Sequence, residues 1–318
     1  MKLLNFIIIC SLISAHLSCA DNNQSLDKMA EKLDGEKIST VFAHGLFSNN
    51  KQKLRFTQAC PDSDDVLSFD FPENQSEQGY GLYRLIGYLA SYWNKPLNLS
   101  NMYMGQNKDI DTIHEYIKNT ISDDKPIVLF GLCKGGSTII NYTAQYNPEN
   151  MKALVLDSSP ANMPEILHDR FMDRYNIPQS WDKAIFRIIF PAYPENAIPP
   201  IQAIKNITNK DLPILIIHSQ NDTDVSFLHA LKLAQEFKTQ EFNHVYLARI
   251  PYGKHAYLME GDQETKDAYL QAVHTFYKQY KLSHNQIYAL DSMEPYSIDQ
   301  EQIRLEIAQS IIDKQFKN

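Results

Sequence analysis

Short apolar runs alternate along the chain with segments in which apolar residues recur every three or four positions. The short runs are typical of strands buried on both faces, and the periodic segments are typical of helices with one apolar face. Predicted strands are 38–43, 66–71, 126–130, 153–157, 213–218 and 245–250. Predicted helices include 108–121, 135–146, 226–238, 263–280 and a last amphipathic one at about 299–316. This alternation predicts an α/β fold, a mostly parallel doubly wound sheet with helices on both faces.

The predicted strand 126–130 leads into the segment Gly131-Leu132-Cys133-Lys134-Gly135, and a helix-compatible segment follows at once. A sharp strand-to-helix turn strains the backbone at its tip, and side chains at the flanking positions would collide with neighbouring elements. The glycines remove those side chains. Cys133 is then expected at a helix N-terminus, where the dipole and free N–H groups favour a thiolate and an oxyanion. The alternative is an inert, buried cysteine in a glycine-rich turn.

A carboxylate and a histidine follow further along the chain. Asp222 comes a few residues after the predicted strand 213–218, and His255 lies in the loop after 245–250. Because the carboxyl ends of parallel strands share one edge of the sheet, both side chains are expected near Cys133. The order nucleophile, acid, histidine is the order found in hydrolases built on such a turn.

These segments together resemble the α/β-hydrolase superfamily, over most of the chain after about residue 38. The matching segments are 41–46, 131–135, 218–225 and 254–255. In having cysteine at the turn, the chain is similar to dienelactone hydrolase-like members. The resemblance implies that Cys133 is the nucleophile, His255 the general base and Asp222 the acid that orients it. It also implies an oxyanion hole formed by the backbone N–H groups of Leu46 and Lys134.

Other residues near these motifs leave alternatives open. Asp224, two residues beyond Asp222, could be the acid, and so could Asp157, which ends the predicted strand 153–157. His44 is interpreted as a structural turn residue and His218 as a hydrogen-bonded histidine at a strand end. Metal-ligand spacings such as His-Glu-x-x-His are absent from the sequence, and no metal or organic cofactor is expected.

The connection 163–212 is too long for a simple crossover between two strands. The resemblance implies a small helical cap there, and a packed surface insertion is the alternative. Apolar residues available to the cap are Phe171, Met172, Trp181, Ile185, Phe186, Ile189 and Phe190. A second aromatic-rich connection, from Tyr80 to Trp93, is expected to pack in the core rather than line the site entrance. The C-terminal extension 281–318 could pack on the core or bind a partner.

The N-terminus has the pattern of a signal peptide over residues 1–20. Lys2 precedes a short apolar stretch, and Ser18-Cys19-Ala20 allows cleavage before Asp21. The protein is therefore expected to be exported, periplasmic or secreted, with a hydrolase domain over 21–318. Membrane contact is expected only if Cys19 carries a lipid, as in a lipoprotein anchored at that residue.

Removal of the leader leaves Cys60 and Cys133. They are expected at opposite edges of the sheet, about 17–20 Å apart, whereas a disulfide needs Cα atoms within about 7 Å. Both thiols are therefore predicted to be free.

The chain has 318 residues, 43% of them hydrophobic, and a net charge of −8, which suits one sizeable domain. A basic stripe interleaved with aromatic residues is absent from the sequence, so nucleic acid is not an expected partner. The expected substrate is a small molecule or acyl compound, and the oligomeric state stays open. The favoured function is ester or thioester hydrolysis through an acyl-enzyme, as a carboxylesterase or thioesterase, with amide cleavage by a peptidase less favoured. A catalytically inactive binding module and an acyltransferase using the same triad are the alternatives.

Overall fold

A computed structural model describes residues 33–46, 48–60, 66–75, 101–167, 169 and 178–316. The predicted signal peptide 1–20 and the aromatic-rich connection from Tyr80 to Trp93 lie outside these ranges. So do Phe171 and Met172 of the predicted cap. None of the helices within the described ranges has both the length and the apolar character needed to cross a membrane.

Six parallel strands form the central sheet. The eight strands of the described chain are β1 (Leu33–Asp34), β2 (Ser39–Ala43), β3 (Val66–Ser68), β4 (Ile127–Leu132), β5 (Met151–Asp157), β6 (Ile214–Ser219), β7 (Val245–Ile250) and β8 (His284–Asn285). The sheet has the order β3-β2-β4-β5-β6-β7, and each neighbouring pair is parallel. The short β1 and β8 pair antiparallel with each other as a separate ribbon. The six predicted strands and their parallel arrangement are thereby confirmed.

Helices cover both faces of this sheet. They are α1 (Pro72–Gln75), α2 (Lys108–Thr120), α3 (Lys134–Tyr146), α4 (Met163–Leu167), α5 (Asp182–Ile189), α6 (Pro200–Ala203), α7 (Leu228–Thr239), α8 (Gln263–Gln279) and α9 (Gln300–Phe316). In one apolar core, α2, α3, α7 and α9 pack against alternate residues of the strands. In the second core, α8 packs against the remaining strand residues. Because successive strand side chains point to opposite faces, buried strands without polar alternation supply both cores at once. The chain has the α/β-hydrolase fold class predicted from its sequence.

Strand β3 is shorter than the predicted strand 66–71. It ends at Ser68, because Phe69 and Phe71 turn into the core and pack edge to face, with ring centroids 5.1 Å apart. Asp70 between them accepts a hydrogen bond from the Asn50 N–H at 2.7 Å. This turn carries the chain out of the sheet and into α1.

The described part of 163–212 contains three short α-helices, α4, α5 and α6. A small apolar cluster, separate from the two sheet cores, consists of Met102, Met104, Met163, Phe186, Phe190 and Tyr193. The side chain of Leu46 packs against this cluster. Trp181 does not supply the expected apolar surface to the cap. It directly precedes α5 on the solvent side and is 60% exposed.

The C-terminal helix α9 packs against α7. Ile303 enters the core at 1% exposure, and Arg249 on β7 forms an ion pair with Glu306 at 2.6 Å. Of the two roles left open by the sequence, packing on the core is the one observed.

Cys60 and Cys133 are both free thiols, as predicted. Cys60 lies in the core that contains α8, and burial raises the pKa of its thiol to about 12, although Lys53 lowers it. A thiol in that environment stays protonated and unreactive at neutral pH.

Candidate active site

Cys133 lies at the tip of a sharp turn between β4 and α3. Its backbone has a φ of 52° and a ψ of −118°, a conformation that residues with a side chain rarely adopt. The surrounding hydrogen bonds hold it there: the Cys133 N–H donates to the Asp157 carbonyl at 2.8 Å, and its own carbonyl accepts from Gly136 at 3.0 Å. Local strain of this kind is found where a side chain must be presented in one fixed position.

Three glycines allow the turn to pack this closely. A Cβ atom at Gly135 would overlap the carbonyl of Ala43 on β2, and one at Gly136 would overlap the hydroxyl of Ser159. A Cβ at Gly131 would lie 2.5 Å from the Gly136 Cα. The prediction that the flanking positions exclude side chains is confirmed for Gly131 and Gly135.

Asp222 follows β6 in a turn that holds its side chain away from solvent. One carboxylate oxygen, Oδ1, accepts the backbone N–H groups of Asp224 and Val225 at 2.8 and 2.9 Å. The other, Oδ2, accepts a hydrogen bond from His255 Nδ1 at 2.7 Å. Burial alone would raise the pKa of this carboxyl, but the charge and hydrogen bonds of His255 and His218 outweigh it and hold the pKa well below its usual value. Asp222 is therefore ionised at neutral pH.

His255 donates a hydrogen bond from Nδ1 to Asp222 Oδ2 at 2.7 Å, and it is close enough to Cys133 for the two side chains to interact. Burial opposes its protonation, yet the interactions with Cys133 and with the Asp222 carboxylate together raise its pKa well above the usual value. The three side chains form one chain of contacts with His255 in the middle. The structure thus brings together the three residues that the sequence singled out.

The two alternative acids have other contacts. Asp157 is buried, and its oxygens accept hydrogen bonds from the hydroxyls of Ser158 and Tyr269, each at 2.8 Å. Burial raises the pKa of Asp157 to about 6, against the lowering effect of those hydrogen bonds and of the nearby histidines. Asp224 meets Asp222 through its backbone N–H. The carboxylate that accepts the hydrogen bond of His255 Nδ1 is that of Asp222.

His44 and His218 are two further histidines near the site. His44 is buried, with Nδ1 2.8 Å from the Gly45 carbonyl and Nε2 accepting the Phe71 N–H at 3.3 Å. Burial lowers the pKa of His44 to about 3, although the bond to Gly45 raises it, so this ring is neutral. These contacts agree with the interpretation of His44 as a structural turn residue.

His218 contacts the same carboxylate as His255. Its Nε2 donates to the Val225 carbonyl at 2.8 Å and lies 3.2 Å from Asp222 Oδ2, while Nδ1 has no hydrogen-bond partner among the described residues. The sequence indicated a hydrogen-bonded histidine at a strand end, but not its contact with Asp222.

Two backbone segments lie beside the Cys133 side chain. Lys134 is the first residue of α3, directly after Cys133. The 44–46 segment runs alongside, since a Cβ placed on Gly45 would lie 3.5 Å from the Cys133 Cβ. The Gly45 N–H is bound to the Gln52 side chain at 2.8 Å, which fixes that segment. Lys134 and the 44–46 segment are thus adjacent to Cys133 on separate elements, and their N–H groups remain the predicted oxyanion donors.

The Lys134 side chain makes contacts that sequence reasoning did not find. It is fully buried, and its ammonium is bound by Glu73 on α1 and, at 3.1 Å, by Asp109 on α2. The available signal was a lysine inside an otherwise glycine-rich, buried turn, because such a charge needs a partner. Within the ranges that the structure describes, no group of three or more His, Cys, Asp or Glu side chains is arranged to hold a metal ion.

The parallel sheet and the Cys133 turn at its carboxyl edge define the class of protein as an α/β-hydrolase. Residues 101–283 match the model of Peptidase_S9, the prolyl oligopeptidase family, and this range contains Cys133, Asp222 and His255. The chain belongs to the prolyl oligopeptidase family and is a hydrolase.

A search of curated proteins found no match. Solved structures with a similar fold include Est1E from Butyrivibrio proteoclasticus, at 16% identity and a TM-score of 0.47 over 78% of this chain and 92% of that one. Another is the esterase Pf2001 of Pyrococcus furiosus, at 14% identity and a TM-score of 0.48 over 77% and 83% of the two chains. A third is bromoperoxidase from Bacillus anthracis, at 16% identity and a TM-score of 0.45 over 78% and 94%.

Proposed function

We propose that the protein hydrolyses a carboxylic ester or thioester through an acyl-enzyme on Cys133. The observation that carries the proposal is the position of His255, which is hydrogen-bonded to the buried Asp222 carboxylate and interacts with Cys133. A histidine beside a cysteine can take up the thiol proton, and the thiolate formed in this way is the reactive nucleophile. The strained turn presents this sulfur at the carboxyl edge of the sheet, where sites form in such folds.

The reaction begins when the Cys133 thiolate adds to the carbonyl carbon of the substrate. The negative charge then develops on the carbonyl oxygen, and the N–H groups of Lys134 and Leu46 are the donors that would stabilise it. One such donor typically contributes roughly 3 kcal/mol to the transition state. The tetrahedral intermediate collapses to a thioester on Cys133 as the leaving group takes a proton from the imidazolium of His255.

In deacylation, His255 acts as a general base instead of a general acid. Once Cys133 is acylated, its negative charge is gone, and with it one of the two charges that raise the pKa of His255. The ring can then accept a proton from water, which attacks the thioester and releases the acid product. Asp222 keeps the imidazole oriented through both steps.

Amide cleavage is the second candidate. It is favoured by membership of a family described by its peptidases. An amine leaving group must be protonated as it departs, and the imidazolium of His255 can supply that proton.

The cap and the cellular location belong to the same proposal. The cluster of Met163, Phe186 and Tyr193 packs beside Leu46, so the cap would form one apolar wall of the acyl pocket. Export after cleavage before Asp21 is supported by the N-terminal sequence pattern. A mature protein whose first residue is Asp21 is the expected result of N-terminal analysis, and a retained leader in the exported fraction would contradict it.

The test compares the wild type with Cys133→Ala on short-chain aryl esters, thioesters and aminoacyl anilides. We expect a loss of at least about a thousandfold in kcat/KM, consistent with removal of a covalent nucleophile, and an acyl group trapped on Cys133 by mass spectrometry. Cys60→Ala, which removes the other thiol, should keep wild-type activity. Equal activity in wild type and Cys133→Ala would exclude the proposed mechanism. Preference for anilides over esters would select the amide candidate.

A further inference from the structure

The side chain of Lys134 is completely buried behind the turn that presents Cys133. Its ammonium contacts Glu73 Oε1, lies 3.1 Å from Asp109 Oδ2, and sits 4.0 Å above the centroid of the Phe71 ring. Both carboxylates are themselves buried, at 1% and 0% exposure of their side chains. A lysine in this position is rare unless a charged partner compensates it, and here two partners do so.

This buried cluster of Glu73, Asp109 and Lys134 is costly for folding. Two carboxylates and one ammonium leave water together, and Glu73 Oε2 and Asp109 Oδ1 have no hydrogen-bond partner among the described residues. Well-packed apolar side chains of similar volume would give equal or greater stability. Stability alone therefore does not account for the cluster, and what it holds in place becomes the relevant question.

The cluster joins three segments that surround the Cys133 turn. Glu73 belongs to α1, and Asp109 is near the start of α2. Asp109 Oδ2 also accepts the N–H of Gly105 at 2.7 Å, in a turn where Gly105 has a φ of 84°. The Gly105 carbonyl in turn accepts the side chain of Asn141, on α3, at 2.8 Å. The lysine side chain is thus bound to α1 and α2, and the bonds through Gly105 and Asn141 connect α2 back to α3.

The backbone next to Lys134 is also held in place. The Cys133 N–H, one residue earlier, donates a hydrogen bond to the Asp157 carbonyl at 2.8 Å. With its side chain held by Glu73 and Asp109, Lys134 has little freedom to rotate its N–H. That N–H is the donor assigned above to the oxyanion.

We propose that the Lys134 side chain, held between Glu73 and Asp109, is a positioning device for the oxyanion hole. It aims the Lys134 N–H at the oxygen of the tetrahedral intermediate without touching the substrate. The inference rests on the proposed function, because it assumes that Cys133 is acylated. Donors of this kind act only when their direction is fixed before the charge develops.

The experiment measures two reactions of the same sulfur. Acylation of Cys133 by p-nitrophenyl acetate in a single turnover passes through an oxyanion. Alkylation of Cys133 by iodoacetamide needs the thiolate and His255 but forms no oxyanion. A positioning role for the Lys134 N–H therefore predicts loss of acylation with alkylation preserved.

Two variants remove the ammonium. Lys134→Met keeps the length of the side chain but leaves two buried carboxylates uncompensated, which can prevent folding. The triple variant Lys134→Met, Glu73→Gln, Asp109→Asn carries no charge in the cluster and keeps similar volumes. The matched control is Lys278→Met, which breaks the ion pair of Lys278, on α8, with Asp291, 2.9 Å long.

In the triple variant we expect acylation to slow by roughly 10- to 100-fold, less than loss of a whole donor, while alkylation stays within about threefold. The control should change neither rate. An equal fall in both rates, or no fall in either, would overturn the inference. If the wild type itself is not acylated at Cys133, the proposed function fails and the inference with it, and that result is seen before any cluster variant is compared.

Discussion

The two carboxylate oxygens of Asp222 have different partners. Oδ1 accepts two backbone N–H groups of its own turn, which fix the side chain, and Oδ2 accepts the hydrogen bond of His255. The charge of this carboxylate also raises the pKa of His255, against the opposing effect of burial. A single residue thus sets both the direction of the imidazole and its readiness to hold a proton.

Asp222→Asn tests this at the residue scale. The amide still accepts the two backbone N–H groups, but its NH₂ would face His255 Nδ1, where a donor opposes a donor. We expect kcat to fall by roughly 10⁴-fold, as in other triads that lose the charged acid. Loss of the negative charge should also lower the pKa of His255, followed through its imidazole proton resonance during a pH titration.

Asp224→Asn is the matched control for that experiment. The contact of residue 224 with Asp222 is made by the backbone N–H, which the substitution leaves in place. Activity within about threefold of wild type is expected. A large loss at position 224 together with a small one at 222 would reverse the assignment of the acid.

At the scale of secondary-structure elements, the turn between β4 and α3 requires its backbone to lie very close to that of β2. A Cβ at Gly135 would overlap the carbonyl of Ala43 on β2, which hydrogen bonds of the sheet hold in place. Gly45, on the neighbouring segment, is different, because a Cβ there would meet its nearest atoms at 3.5 Å or more. Gly45 therefore has room for a Cβ atom, and Gly135 does not.

Gly135→Ala should lower the free energy of unfolding by at least about 3 kcal/mol, because overpacking against fixed backbone cannot be relieved by a rotamer change. Gly45→Ala should cost less than about 1 kcal/mol by the same reasoning. Urea unfolding followed by circular dichroism measures both. Equal stability of the two variants would show that the turn can shift away from β2.

The sequence predicted the elements well wherever a local pattern specified them. Each strand of the sheet is an apolar run, and α2 shows its buried face in Ile110, Ile113 and Ile117. The early end of β3 was not predictable, since Phe69 and Phe71 are apolar like strand residues and leave the sheet because of tertiary packing. The same holds for the solvent exposure of Trp181.

The site residues were also predictable where a local pattern specified them. Cys133, Asp222 and His255 each lie in a recognisable segment just past a predicted strand, so local pattern located them. Glu73 and Asp109 have no such context: Glu73 is 61 residues from Lys134 in the chain and meets it only in the folded state. A buried charge pair of this kind is specified by three-dimensional packing, which periodicity does not encode.

At the scale of the whole molecule, α9 closes the face of the sheet that α7 covers. Its contact is asymmetric: Ile303 is 1% exposed and Ile307 packs against the core, whereas Leu305 is 63% exposed. The ion pair of Arg249 and Glu306 fixes the helix from β7. The tail is part of the folded unit rather than an appendage to it.

Ile303→Ala should therefore destabilise the protein by about 2–5 kcal/mol, the range for a large-to-small change in a core. Leu305→Ala, on the exposed side of the same helix, should stay within about 0.5 kcal/mol of wild type. Thermal and urea unfolding of the two variants give the comparison. A small effect at Ile303 would mean that α9 is detached from α7 in solution.

The ribbon of β1 and β8 lies next to the amino end of β2. Glu36, between β1 and β2, donates its N–H to the Lys281 carbonyl at 2.8 Å, at the amino ends of the parallel strands. From there β2 carries the chain about 17 Å across the sheet to the edge where Cys133 lies. A support linked to the protein through this ribbon would thus be about the length of β2 away from the reactive sulfur.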